Sequence, residues 1–474
     1  MHKRIDVLLS IGLLCCPFIV HAQSKTAALP HAPGLVAQLH PTPAPASPPA
    51  PPPAPAPPPA PSGPTLTRQQ AEQLALKNNP RISVAGLIAL AQKQVVRETR
   101  SAEFPTLNGE VTGVGAEEAS RLSTGSLNAS RLLNHAGAGV ELDQLITDFG
   151  RTRNLVASSS YQQKATEQQA QATREDVVLA ADLAFYRALE AQATLRVAQS
   201  TVNARQSVND QVGALTASKL KSTLDQSFAQ VNLSQAQLLN LDAQSQYDSQ
   251  VASLNEVLGT TDDTQYKLVD DPSPPAPIAK SAEGVIALAL QQRPDLLALK
   301  LTHDANVRFA RAQRDQLLPT VSGLGIVGAT PWGPNTDSTV YFQQNWYGAA
   351  GVNIGIPIFN GFKFHAEASE ADLRAKASDE QSRGLIDRIV RDVRTAWLTM
   401  NTAQQRMGVT AELVKEANTA LDLADTRYRL GLSSIVELSQ AQLQQTQAQI
   451  DDANARFEYE SDLAALRYQS GSQP

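Results

Sequence analysis

Gly323-Leu324-Gly325-Ile326-Val327-Gly328 has the GxGxxG spacing of a dinucleotide-phosphate cradle. That cradle works only if a helix opens at its third glycine and turns its N–H groups on the phosphate. Here Ala329-Thr330-Pro331-Trp332-Gly333-Pro334 follows, which no helix tolerates, so the glycines are expected in a β-strand. The seven histidines (positions 2, 21, 31, 40, 135, 303 and 365) form neither HExxH nor a tight pair, and the two cysteines, Cys15 and Cys16, are adjacent. Neither a zinc or iron site nor a disulfide framework follows from them. There is no serine nucleophile elbow, Walker lysine or spaced acidic pair, and the Asn128-Ala129-Ser130 triplet carries no weight alone. We expect no catalysis and no cofactor. With 40 basic against 46 acidic residues and a net charge of −6, the chain lacks the electrostatic footprint of a nucleic-acid partner.

The chain opens with an address. His2-Lys3-Arg4 is basic, Val7 to Val20 is mostly apolar, and Val20-His21-Ala22 precedes Gln23, which predicts a signal peptide over 1–22. Both cysteines fall inside it, and the large Leu14 before Cys15 argues against lipidation. From Pro30 to Pro64, 16 of 35 residues are proline, so 23–64 reads as an extended leader that builds no core. Beyond the N-terminus no run of 18 apolar residues occurs, which excludes a helical membrane span.

The rest of the chain is written twice. Pro80 to Pro105 and Pro294 to Pro319 both span 25 positions (105 − 80 and 319 − 294). Further on, an offset of 212 matches Asp148-Phe149-Gly150 to Asn360-Gly361-Phe362 and Ser222-Thr223-Leu224-Asp225 to Ser434-Ile435-Val436-Glu437. Two copies, 65–260 and 279–471, are therefore expected, joined by a linker over 261–278 that contains the proline-rich stretch 271–277.

Each copy combines two periods. Ile386, Val393, Met400, Met407, Val414, Leu421 and Tyr428 recur every seven residues, and Val436, Leu443, Ile450, Phe457 and Ala464 continue after the Gly431 break. A second row, Ala441, Ala448 and Ala455, with Ala229, Ala236 and Ala243 one copy earlier, lies roughly 200° around the helix. Packing rows on opposite sides describe a wall of helices. The spans are 149–212, 220–258, 361–429 and 434–469, with a shorter helix at 83–102 stacked on the end of the second. Between Pro105 and Asp148, and between Pro319 and Asn360, the period drops to two, as in Val352, Ile354 and Ile356 against Asn353 and Gly355. That predicts hairpins over 105–147 and 319–358, with loops at 117–134 and 331–345. Segments of about ten residues cross a bilayer as tilted strands. Four strands cannot close a barrel, and an open edge in lipid leaves backbone groups unpaired, so the chain must oligomerise.

In order and spacing, Gln144-Leu145-Ile146-Thr147-Asp148-Phe149-Gly150, Ile356-Pro357-Ile358-Phe359-Asn360-Gly361 and Tyr428-Arg429-Leu430-Gly431-Leu432-Ser433 resemble the TolC-type outer-membrane efflux family over 65–471. Thr147, where an aromatic is usual, and the long leader depart from it. The resemblance implies a mainly α fold with a transmembrane β-barrel. Long antiparallel coiled-coil-like helices would form an α-barrel, and a homotrimer would pool 12 strands (3 × 4). It implies a passive exit duct in outer-membrane lipid, served by a periplasmic adaptor and an inner-membrane pump. It also places Glu437 and Gln440 at a periplasmic entrance, with Tyr428 holding the entrance shut; the 212 offset from Glu437 adds Asp225 as a second acidic ring. Gly213 and Leu215, and Leu430, Gly431, Leu432 and Ser433, are expected at the hairpin tips that meet the adaptor. Type I protein secretion is the alternative cargo. A periplasmic adaptor and a structural envelope rod without a pore are the alternative classes; the first lacks such strands, and the second would not conduct.

Overall fold

Thr67 starts the first helix with a reciprocal cap: its hydroxyl accepts from Gln70 N, and the Gln70 amide oxygen accepts from Thr67 N. Asn79 ends α1 (Arg68–Asn78) and caps α2 (Pro80–Ser101), whose Pro80 occupies a first-turn position that needs no N–H. The structure, a computed structural model, describes residues 64–115, 135–260, 264, 266–270, 281–334, 340–341 and 345–471. The expected signal peptide and leader (to residue 63), the loop at 117–134 and the proline-rich stretch 271–277 lie outside the described residues.

A two-residue strand β1 (Thr65–Leu66) precedes α1, and β2 (Thr106–Val114), β3 (His135–Thr147), α3 (Arg151–Ala217) and α4 (Thr223–Leu258) complete the first copy. The short β4 (Lys267–Leu268) pairs in parallel with β1. The second copy runs α5 (Ala282–Gln292), α6 (Pro294–Asp315), β5 (Thr320–Pro334), β6 (Val340–Tyr341), β7 (Asn345–Gly355), α7 (Lys363–Arg429) and α8 (Ile435–Ser470). The helices of the two copies match in length. The offset is 214 for the first helices and strand (282 − 68, 294 − 80, 320 − 106) and 212 for the long helices (363 − 151, 435 − 223). α3 and α7 each hold 67 residues, on the order of 100 Å at 1.5 Å per residue, and α4 and α8 each hold 36.

The missing length of the return helices is supplied by stacking. α4 ends in left-handed Gly259, packed against Asn78, and Asn79 Nδ2 donates to Val257 O at 3.0 Å. α8 ends the same way, with Gly471 against Arg293. α4 is thus continued by α2, and α8 by α6.

The strands form the order β2-β3-β5-β7, antiparallel throughout, with β6 pairing only the far end of β5. Two sequence expectations shift here. β5 runs on through Pro334, and Asn345 already belongs to β7, so the 331–345 loop is shorter than expected. The first hairpin tip is not at 212–216: α3 continues to Ala217, which places Gly213 and Leu215 inside the helix. The Ser222–Asp225 capping box fixes where α4 starts, so good helix formers up to Ala217 extend α3 to meet it. The turn is taken instead by Lys219 at φ 58°, the 212-offset counterpart of Gly431 at φ 73° (431 − 212 = 219).

The core is a set of seams. In α7 the expected seven-spaced row from Ile386 to Tyr428 turns inward, and a second row of small residues (Ala403, Thr410, Ala417 and Ala424) is buried beside it. Both alanine rows, 229/236/243 and 441/448/455, are buried. The start of the α8 row differs from expectation: Val436 and Leu443 are exposed, and Ile435 and Leu438 take the buried positions. Among the described residues, no helix is long and apolar enough to cross a membrane.

Candidate functional site

The candidate residues fall in two regions: the sheet at one end of the long helices and the turns at the other. In the sheet, register decides which side chains share a face. Gly109 pairs Val140, Val140 pairs Val327, and Val327 pairs Gly348. Since alternate residues share a face, this rung also defines Leu107, Val111, Leu142, Val352 and Ile354 as one apolar surface. The opposite face carries Asn108, Glu110, Thr112, Glu141, Asp143, Ser322, Thr330 and Asn353, with Val114, Leu145, Leu324, Ile326 and Tyr347 among its apolar or aromatic exceptions. The glycine run of 323–328 is part of β5, and the Tyr347 ring lies across Gly139 and Gly328, where a Cβ would collide with it. The chain leaves the sheet through left-handed pairs, Phe149-Gly150 and Gly361-Phe362. Asp148 accepts from Gly150 N and Thr152 N, and Thr147 accepts from Phe149 N, a hydroxyl role that an aromatic at 147 could not fill. Exposed Phe359 and Phe362 stack edge to face at 5.6 Å beside this junction.

At the other end the structure brings most of the sequence-derived residues together. Tyr428 is 4% exposed, packed in a cluster with Val212, Ala229, Ile435 and Leu438, and Lys221 Nζ stands 4.3 Å from its ring centroid. Burial first, and the charge of Asp225 second, push its phenol above the ordinary tyrosine value. Among the described residues the Tyr428 hydroxyl has no hydrogen-bond partner, so packing and the Lys221 cation hold the ring. Asp225 is occupied as a cap: its carboxylate accepts from Ser222 N at 3.3 Å and its N–H donates to Ser222 Oγ at 3.2 Å. Glu437 sits in the corresponding place on α8, where its N–H donates to Ser434 Oγ, and its carboxylate pairs with Arg427 of α7 at 3.5 Å. Gln440 is exposed one turn along α8. Leu220, Leu430 and Leu432 are exposed at the two turns, and Ser433 Oγ is buried with no partner among the described residues. Sequence reasoning missed Arg427, Lys221 and Leu220; Leu220 could have been found by applying the 212 offset to Leu432.

A sheet with one apolar and one polar face, an aromatic border and long amphipathic helices below it defines the class of outer-membrane ducts. The model of the family described as "Outer membrane efflux protein" matches residues 71–260 and 285–472. The chain is 22% identical over 417 residues to Outer membrane protein TolC of Salmonella enteritidis, covering 85% of this chain and 81% of that protein. It is 24% identical over 373 residues to Outer membrane protein OprJ of Pseudomonas aeruginosa, covering 78% and 76%. A solved membrane protein from Pseudomonas aeruginosa superposes with a TM-score of 0.73 at 22% identity, covering 85% of this chain and 93% of that one. The chain belongs to the outer membrane efflux protein family. It is an outer-membrane channel protein of efflux, with its long helices extending into the periplasm.

Proposed function

We propose that three copies close one duct: 12 strands (3 × 4) in the outer membrane, continued by a tunnel of their long helices, through which small molecules leave the periplasm passively. The observation that carries this reading is the pair of unpartnered sheet edges. Among the described residues β2 pairs only β3 and β7 pairs only β5, while the face they share is apolar. In lipid each unpaired backbone group costs several kcal/mol, and edge-to-edge closure with identical neighbours satisfies them all. The exposed leucines at the turns are proposed to meet a periplasmic adaptor, which couples the duct to an inner-membrane pump. The narrow end is proposed to carry three Glu437 carboxylates, each tempered by its Arg427 and followed by an uncharged Gln440.

Conductance of the purified assembly in a planar bilayer tests this. Glu437→Gln should lower the cation-to-anion permeability ratio by roughly half and weaken block by multivalent cations from the periplasmic side, with the oligomer intact. An assembly that does not conduct at all overturns the duct. Unchanged selectivity and block in Glu437→Gln would leave this residue a surface charge.

A further inference from the structure

On α3, Val177, Ala184, Ala191, Ala198, Arg205 and Val212 recur every seven residues, and all six are buried. Five of them are small or apolar, so Arg205 places a guanidinium in a packing seam. It is 7% exposed, and its Nη1 has no hydrogen-bond partner. Among the described residues no carboxylate offsets it: burial alone acts on it, pulling it down to about 10, so it stays charged at neutral pH. A buried charge normally finds a counter-charge or is replaced by an apolar residue, and Arg205 does neither.

What lies over it is a groove. Arg205 and Thr201, one turn apart on α3, form the floor of a cavity of about 580 Å³ between α4 and α8. Asn232 Nδ2 donates to Ser439 Oγ at 2.7 Å and ties α4 to α8. Thr201 and Thr446 hydroxyls meet at 3.4 Å, which fixes α8 on α3. The walls are Phe228 and Leu239 from α4, and Val436 and Leu443 from α8; Phe228, Val436 and Leu443 are exposed in the protomer. The remaining polar groups of the lining include the neutral amides of Gln235, Gln440 and Gln447, and no acidic side chain. A concave, mainly apolar space of this size with a few convergent polar groups is the usual form of a small-molecule site.

We propose that this groove binds small amphipathic organic anions, with a carboxylate or sulfonate on the Arg205 guanidinium and the apolar body along Phe228 and Leu443. Among the described residues the buried Nη1 has no acceptor, so the protomer leaves one charge-assisted hydrogen bond of this guanidinium unmade. The groove holds neutral amides where a carboxylate would repel such a ligand.

The test uses the detergent-solubilised full-chain assembly and two probes of matched shape, 1-naphthalenesulfonate and the uncharged 1-naphthalenesulfonamide, titrated by calorimetry. The wild type should bind the sulfonate about tenfold more tightly than the sulfonamide. Arg205→Gln should erase that preference. Leu443→Glu, at an exposed wall position that leaves the seam untouched, should weaken sulfonate binding about tenfold even if Arg205→Gln fails to assemble. Equal affinities in the wild type, or an unchanged sulfonate affinity in either assembled variant, overturn the site. So does the absence of any sulfonate binding. The readout needs no pore, so its failure is distinct from failure of the duct.

Discussion

Asp182 is 4% exposed inside α3, and the Arg68 guanidinium that faces it at 3.6 Å is already paired with Glu72. Burial first, and then the charge of Glu72, push its carboxyl up to about 7 from an ordinary 3.8. A group raised on folding contributes stability that is complete below its unfolded value and is lost as pH climbs through the folded one. The native assembly should therefore lose thermal stability between about pH 4 and pH 8. Asp182→Asn, which stays neutral, should remove most of that slope and melt several degrees higher at pH 8. Melting curves across that range check it, and parallel slopes for the two proteins would count against a strained Asp182. Residues of this kind were the least legible in the sequence. On a helix of 67 residues an acidic or basic side chain reads as solvated, because which face is covered depends on neighbours far along the chain. Arg205 did leave a trace, since it interrupts a seven-spaced row of small and apolar residues. Glu437 was visible through the repeat, but its Arg427 partner sits across a turn that only the fold closes.

The elements were legible where a period or a cap dictated them. Seven-residue rows show where long helices run, but not their ends: the first return helix, expected from 220, starts at Thr223 behind its Ser222 cap, and α3, expected to end at 212, runs on to Ala217. What failed was glycine as a punctuation mark. Gly213 looks like a break, yet it lies inside α3, while Lys219 takes the left-handed turn that a glycine takes in the second copy. A left-handed lysine costs about 1–2 kcal/mol, a penalty the adjoining capping box offsets and no local pattern reveals. The strands offer a sharper test, because register assigns each residue a face. Val140 and Ile354 share the apolar face, whereas Asn353, next to Ile354, points to the polar one. Arginine at 140 or 354 should cost about 2–4 kcal/mol near the bilayer midplane, and Asn353→Arg much less. Yields of heat-resistant oligomer recovered from the outer membrane would rank the three. Equal yields would mean that the two faces are not lipid and lumen.

At the scale of the molecule the two copies place equivalent turns at one end: Leu220 and Leu432, separated by the 212 offset, are both exposed there, 71% and 68%. If these turns meet an adaptor, Leu432→Asp should abolish pump-dependent export while conductance of the purified channel stays unchanged. Export at the wild-type level would remove the turn from the contact. The edges β2 and β7, unpartnered among the described residues, have a consequence in inheritance. A subunit whose β7 edge cannot pair still presents a sound β2 edge, so it is recruited and then leaves a ring that cannot close. If the ring is the proposed trimer, and a normal and an edge-defective copy are made in equal amounts and mix at random, only about one ring in eight is wholly normal. Lesions on this edge should therefore behave as dominant, poisoning seven of every eight assemblies or so, while lesions that keep the chain from folding at all should behave as recessive.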